Sequence, residues 1–82
     1  MESIHDGLIY DTEKSIMIAS LPAANYDYNI DLHITINGRW FKAIPVLNQI
    51  VPLTDAEAMS LLESYGKNGL LKIHFGNKLR DA

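Results

Sequence analysis

Three histidines, five serines and ten acidic residues are the side chains here with the means to do chemistry, so their spacing decides whether they can act together. His5, His33 and His74 are far apart in the chain, with no H-x-H or H-E-x-x-H to bring two imidazoles onto one metal ion. The run Asp27-Tyr28-Asn29-Ile30-Asp31 resembles the start of a calcium loop. It fails at Leu32, where the sharp turn needs glycine, and at Gly38, where the loop needs a bidentate glutamate. Gly66-Lys67-Asn68-Gly69 lacks the upstream glycine and the Ser or Thr of a phosphate loop, and reads more simply as the end of a helix. None of Ser3, Ser15, Ser20, Ser60 and Ser64 sits in a G-x-S-x-G elbow. Asp11 and Glu13 are two apart, but in a surface turn they read as solvated rather than as an acid and base of separated pKa. The expectation is a non-enzymatic protein with no catalytic residues, no metal and no cofactor.

The remaining candidates for function are residues suited to contact. Asp31, His33, Thr35, Trp40 and Lys42 fall on one face of a hairpin if its turn is tight, with Tyr26 and Tyr28 flanking them in sequence. Trp and Tyr offer large amphipathic contact area at low entropic cost and are enriched at interface hot spots. The competing reading is that a helix covers this face and makes Trp40 ordinary core. The polar company of Asp31, His33, Thr35 and Lys42 weighs against complete covering, since buried polar groups need partners.

The elements that must position these residues follow from periodicity. Ile30, Leu32, Ile34 and Ile36 alternate with Asp31, His33 and Thr35, which is the pattern of a half-buried strand. Asn37-Gly38 then predicts a two-residue type I′ turn, because both residues tolerate positive φ. Counting outward from that turn pairs Thr35 with Trp40, Ile34 with Phe41 and His33 with Lys42. Phe41 thereby joins the core, and Trp40 joins the polar face. A one-residue slip would exchange them.

Upstream, GLIYDTEKSIMIASL places two apolar runs around Asp11-Thr12-Glu13-Lys14 and reads as another hairpin, with Ile16-Met17-Ile18-Ala19 as the candidate central strand. PAANYDYN is a connection. Pro45 and Pro52 leave an edge or a short final strand around Ile50-Val51. Thr54-Asp55-Ala56-Glu57 matches a capping box, and an apolar stripe of Ala56, Ala58, Met59, Leu61, Leu62 and Tyr65 predicts a helix over about 55–65, ended by Gly66. Residues 68–82 are ambiguous between strand and helix, with a lean to helix capped by Asn68 and stopped by Gly76. The fold class is therefore α+β, a small antiparallel sheet of about four to five strands built from two hairpins with one main helix, in a single domain over residues 1–82.

Length and composition bound the rest. A chain of 82 residues buries only about 60 to 65 % of its unfolded surface, so the core is thin. No apolar stretch approaches the roughly 18 residues of a membrane span, and MESIHDGLIYD lacks the basic start and apolar run of a signal peptide. With no cysteine, a cytoplasmic location is the expectation. Net charge is −3 and the seven Lys and Arg are scattered, which disfavours direct nucleic-acid binding.

Three segments, IYDTEKSIMIA, NGRWF and IVPLTDAEAMSLLESYG, together carry a YDTE…GR(W/F)F…PLT(D/E)xEA pattern. In this the chain resembles small bacterial and phage-encoded proteins of mobile elements, a set that includes anti-CRISPR proteins. The resemblance touches residues 9–19, 38–41 and 50–66 and implies no catalytic residue. It implies a phage or mobile-element inhibitor in the cytoplasm of a host cell, bound stoichiometrically to a protein partner such as a CRISPR effector subunit. The alternative is a structural or assembly protein that forms a homodimer through the same face.

Overall fold

Strands must satisfy their backbone groups in pairs, and in the computed structural model, which describes residues 1–82, they do so in two separate antiparallel sheets. β1 (Glu2–His5) and β2 (Leu8–Asp11) form a two-stranded sheet, and β3 (Ile16–Pro22), β4 (Asn29–Ile34), β5 (Trp40–Ile44) and β6 (Gln49–Leu53) form a four-stranded one in that order. α1 (Asp55–Ser64) and α2 (Asn68–Phe75) follow, so the expected α+β class holds. The helices cover one face of the larger sheet and the β1–β2 hairpin covers part of the other. Only 14 of 82 residues are buried, because a core split between two faces is thin on each.

The first hairpin differs from the expected one. Its turn is Asp6-Gly7, with φ of 52° and 76°, the two left-handed residues that a type I′ turn requires. The apolar runs on either side of Asp11–Lys14 do not pair with each other: β2 pairs with β1, and β3 with β4. Residues 11–15 close on themselves instead. The Asp11 carboxylate accepts from the Glu13 amide at 2.9 Å, and the Asp11 carbonyl accepts from the Lys14 amide at 3.3 Å and the Ser15 hydroxyl at 2.7 Å. β3 is correspondingly an edge strand rather than the central one. Pro22 and Pro52 lie in β3 and β6, the two edges, where a missing amide costs no ladder bond.

The β4–β5 register is one residue away from the expected one. Ile34 pairs with Trp40, His33 with Phe41, Leu32 with Lys42 and Asp31 with Ala43. The cause is the turn. Gly38 has φ of 79° while Asn37 stays out of the left-handed region, and the Gly38 amide donates to the Thr35 carbonyl at 2.9 Å. That is a type I turn followed by a left-handed glycine, a three-residue loop of Ile36, Asn37 and Gly38 in place of a two-residue one. The Thr35 amide donates to the Arg39 carbonyl at 2.8 Å, and the Thr35 hydroxyl accepts from the Arg39 amide at 3.0 Å.

One added loop residue moves every side chain of β5 to the opposite face. Trp40 turns toward the helices and packs in a cluster with Leu32, Ala58, Leu62, Leu71 and Phe75. Its ring lies 5.3 Å from that of Phe75, nearly parallel at 26°, and meets the edge of His74 at 5.3 Å. Phe41 turns toward the hairpin and is buried with Tyr10, Ala43 and Ile50. The two aromatics are therefore both core, on opposite sides of one sheet.

The helices end as their residues dictate. Thr54 accepts from the Glu57 amide at 3.1 Å while Glu57 accepts from the Thr54 amide at 2.9 Å, completing the capping box. At the other end Gly66 takes φ of 65°, and the Lys67 and Gly66 amides donate back to the Leu62 and Glu63 carbonyls, a Schellman motif. The ambiguous last segment is helix. Asn68 is its first residue rather than its cap, and Gly76 continues right-handed at φ −54° into a 3-10 turn, Gly76–Lys78.

Trp40→Ala is expected to destabilise the protein by about 3 to 5 kcal/mol, as truncation of a core aromatic does. Thr54→Ala, which removes one half of the capping box, is expected to cost about 1 kcal/mol. Urea unfolding followed by circular dichroism measures both.

Candidate functional site

The new register divides the seven residues expected to form one face. Trp40 is 4 % exposed beneath the helices, and Lys42 lies on the same side, beside Glu57 along α1. Asp31 and His33 lie on the hairpin side with Phe41, and Thr35 closes the β4–β5 turn. Tyr26 and Tyr28 stand in the loop of residues 23–28, at the other end of β4. The expected contact face centred on an exposed Trp40 is thus corrected: the residues around it are split between two faces and two ends of the sheet.

His33 departs most from its expected setting. It is 5 % exposed, not solvated, and its ring stacks on Phe41 with centroids 4.9 Å apart and planes within 9°. Tyr10 meets Phe41 edge-on at 5.6 Å, and His5 meets Tyr10 at 5.8 Å, so an aromatic chain ties the hairpin to the sheet. His33 Nδ1 is buried without a hydrogen-bond partner. Burial pushes its pKa below the ordinary 6.5, opposed by the negative charge of Asp31. Glu57 is shifted in the same direction by a different cause, its pKa lowered first by the Thr54 amide and then by the Thr54 hydroxyl.

Part of the expected site does hold together. Tyr26 and Tyr28 stack with centroids 5.1 Å apart, at 26°, and Tyr26 is 66 % exposed. Next to them the Ser20 hydroxyl donates to Asp31 at 2.7 Å and accepts from the Asn29 side chain at 3.1 Å. A shallow cleft connects Tyr28, Asp27, Asn29 and Asp31 to Pro45 and Val46 of the 3-10 turn before β6. Val46 and the adjacent Leu47 are largely exposed. One end of the larger sheet therefore presents two tyrosines, two aliphatic side chains and two carboxylates, Asp27 and Asp31, with no cation among the residues that line it.

A second cluster was missed from sequence. Ile4, Ile9 and Ile36 are exposed, and Ile9 and Ile36 line one cleft between the small hairpin and the β4–β5 turn. The Asp6-Gly7 signal would have found the first two, because a type I′ turn there pairs Ile4 with Ile9 on the outer face of the hairpin. No group of three or more His, Asp or Glu side chains is placed to hold a metal ion. No helix is long and apolar enough to cross a membrane.

Comparison with known proteins adds no identity: no family model, no curated protein and no solved structure matches this chain.

The buried His33 makes stability depend on pH. Its folded pKa lies below 6.5, so as pH falls the unfolded chain binds the proton first. Stability is complete above about 6.5 and declines as pH falls through that value toward the folded pKa. In urea titrations from about pH 8 to about pH 5 the wild type is expected to weaken over this window, and His33→Leu to lose that part of the slope.

Proposed function

We propose that this chain is a non-enzymatic binding protein that acts by stoichiometric contact with a protein partner, through the sheet end built by residues 23–28 and 45–48. The observation that carries the reading is the stacked Tyr26–Tyr28 pair, Tyr26 exposed and Tyr28 half-buried, beside exposed Val46 and Leu47. Stacking holds two large amphipathic side chains in one arrangement before any partner arrives, which lowers the entropic cost of binding. Hot spots are enriched in such residues. Asp27 and Asp31 add negative charge to the rim, which complements a basic partner surface.

The finer reading, an inhibitor of a host defence complex, rests on the resemblance to mobile-element proteins that includes anti-CRISPR proteins. A protein that occludes a nucleic-acid-binding or subunit-binding surface needs a rigid scaffold, aromatic anchors and matching charge, and the tyrosine end supplies the last two. It does not need a reacting group. The anchors are the tyrosines, and Trp40 acts only by supporting the fold.

The test is capture of CRISPR effector subunits from a bacterial lysate that expresses them, comparing the wild type with Tyr26→Ala/Tyr28→Ala. Loss of two anchors is expected to weaken capture at least about ten-fold while the circular dichroism spectrum and stability stay unchanged. Equal capture by the double variant would remove this end of the sheet as the contact surface. Failure of the wild type to capture any effector subunit would remove the defence-complex reading.

A further inference from the structure

We propose that the open edge of β2 is a second binding site, one that takes an extended acidic segment of a protein partner as an added strand. This goes beyond the tyrosine surface, which lies at the other end of β4. The proposal begins with the phase of the β1–β2 ladder. The Thr12 amide donates to the Met1 carbonyl at 3.0 Å, which makes Met1 and Thr12 a hydrogen-bonded pair one step beyond Glu2 and Asp11. Pairs alternate along an antiparallel ladder, so Ser3–Tyr10 and His5–Leu8 exchange bonds, whereas Ile4–Ile9 and Glu2–Asp11 do not. The amide and carbonyl of Ile9 therefore point away from β1.

Nothing in the chain takes them up. β2 has no strand partner other than β1, and no backbone bond outside the sheets and helices involves Ile9. The matching edge of β1 is different, because β1 lies against β6. On β2 the open run is short, since the Asp11 carbonyl is already occupied by the Lys14 amide and the Ser15 hydroxyl. It offers both backbone groups of Ile9 and the amide of Asp11.

The surroundings of that edge specify its occupant. A cleft of about 350 Å³ separates β2 from the β4–β5 turn, lined by Ile9, Lys14, Thr35, Ile36, Asn37 and Arg39 among others. Ile9 is 60 % exposed and Ile36 91 %, an aliphatic pair that an extended segment would cover with alternate side chains. Lys14 and Arg39 are exposed, and neither forms an ion pair; the single one in the protein joins Lys78 to Asp55. The one acid on the wall, Asp11, has a carboxylate oxygen engaged with the Glu13 amide. The cleft is thus locally cationic in a chain of net charge −3, and its complement is a carboxylate-bearing strand.

Other occupants fit less well. A symmetric β2–β2 pair of four-residue strands would bury far less than the roughly 1,200 Å² of a stable interface. Two cations around an aliphatic floor are too few to neutralise a phosphate backbone. The edges of the larger sheet are less open: β3 is irregular between Met17 and Ala19 and ends at Pro22, while β6 carries Pro52 and lies against β1.

The test is a two-dimensional amide NMR titration of the nitrogen-15-labelled protein with a hexapeptide of alternating glutamate and valine. Shift changes are expected at Ile9 and Asp11 and across Ile36–Arg39, with the lysine–valine counterpart binding several-fold more weakly. Lys14→Glu/Arg39→Glu, both at exposed positions, is expected to weaken binding about five-fold or more. Ile9→Pro removes an outward-facing amide and the Ile9 side chain from an edge strand but no β1–β2 ladder bond, so it should leave the fold intact and abolish the shifts at Asp11 and Ile36–Arg39. Tyr26→Ala/Tyr28→Ala should bind the peptide as the wild type does, which separates this site from the first. An unshifted Ile9, equal affinity for the lysine peptide, or undiminished binding by Ile9→Pro would overturn the proposal. So would Ile9 shifts that grow with protein concentration alone, since a second copy would then own the edge.

Discussion

The structure depends on the three-residue loop of Ile36, Asn37 and Gly38 that joins β4 to β5. With Gly38 left-handed at φ 79° and Asn37 not, the β4–β5 connection is a three-residue loop in place of a two-residue type I′ turn, and side chains that alternate with a period of two have only one way to be distributed. Trp40 then faces the helices and Phe41 the small hairpin. Both helices have an aromatic to pack on only because of this register, and the hairpin has one for the same reason. An aromatic on each side lets so short a chain build two thin cores in place of one deep one.

Between those cores the sheet is effectively two-sided, and that accounts for His33. A polar residue in the alternating pattern of β4 would be solvated if the sheet had one free face, but Tyr10 and the hairpin cover Phe41, on which His33 stacks. Burial disfavours the charged imidazolium and lowers its pKa, with Asp31 only partly offsetting it. The residues proposed for contact lie at the two ends of the larger sheet, where loops and turns project beyond the packed layers.

Much of this was legible in the sequence, and the failures have physical causes. The Thr54–Glu57 box and Gly66 announced α1 because caps are local, chemically specific and independent of what packs on the helix. The α+β class followed from period, while the two prolines left the segment around Ile50-Val51 open between an irregular edge and a short final strand, which it is. The register did not, because Asn-Gly is compatible with two loops of different length and the choice lies in the φ of Asn37, which no side-chain type dictates. The first hairpin was misplaced because Glu2–His5 and Leu8–Asp11 are short and mixed in polarity, while the stronger apolar run at Ile16 drew the pairing to itself. Of the seven expected contact residues, Tyr26, Tyr28 and Asp31 remain grouped, since loop position needs only Pro22 and Asn25 to be recognised. Trp40 and His33 were misjudged because burial by an element distant in sequence leaves no trace in the strand itself.

Trp40 is the only tryptophan, so its fluorescence reports the register without labelling. The decisive measurement is native-state emission with acrylamide quenching, compared with the same protein in denaturant. If the three-residue loop joins β4 to β5, native emission is blue-shifted and resists quenching, and both features disappear on unfolding. Native emission as red-shifted and as readily quenched as that of the unfolded chain would place Trp40 on the surface, restore the two-residue turn and contradict the account.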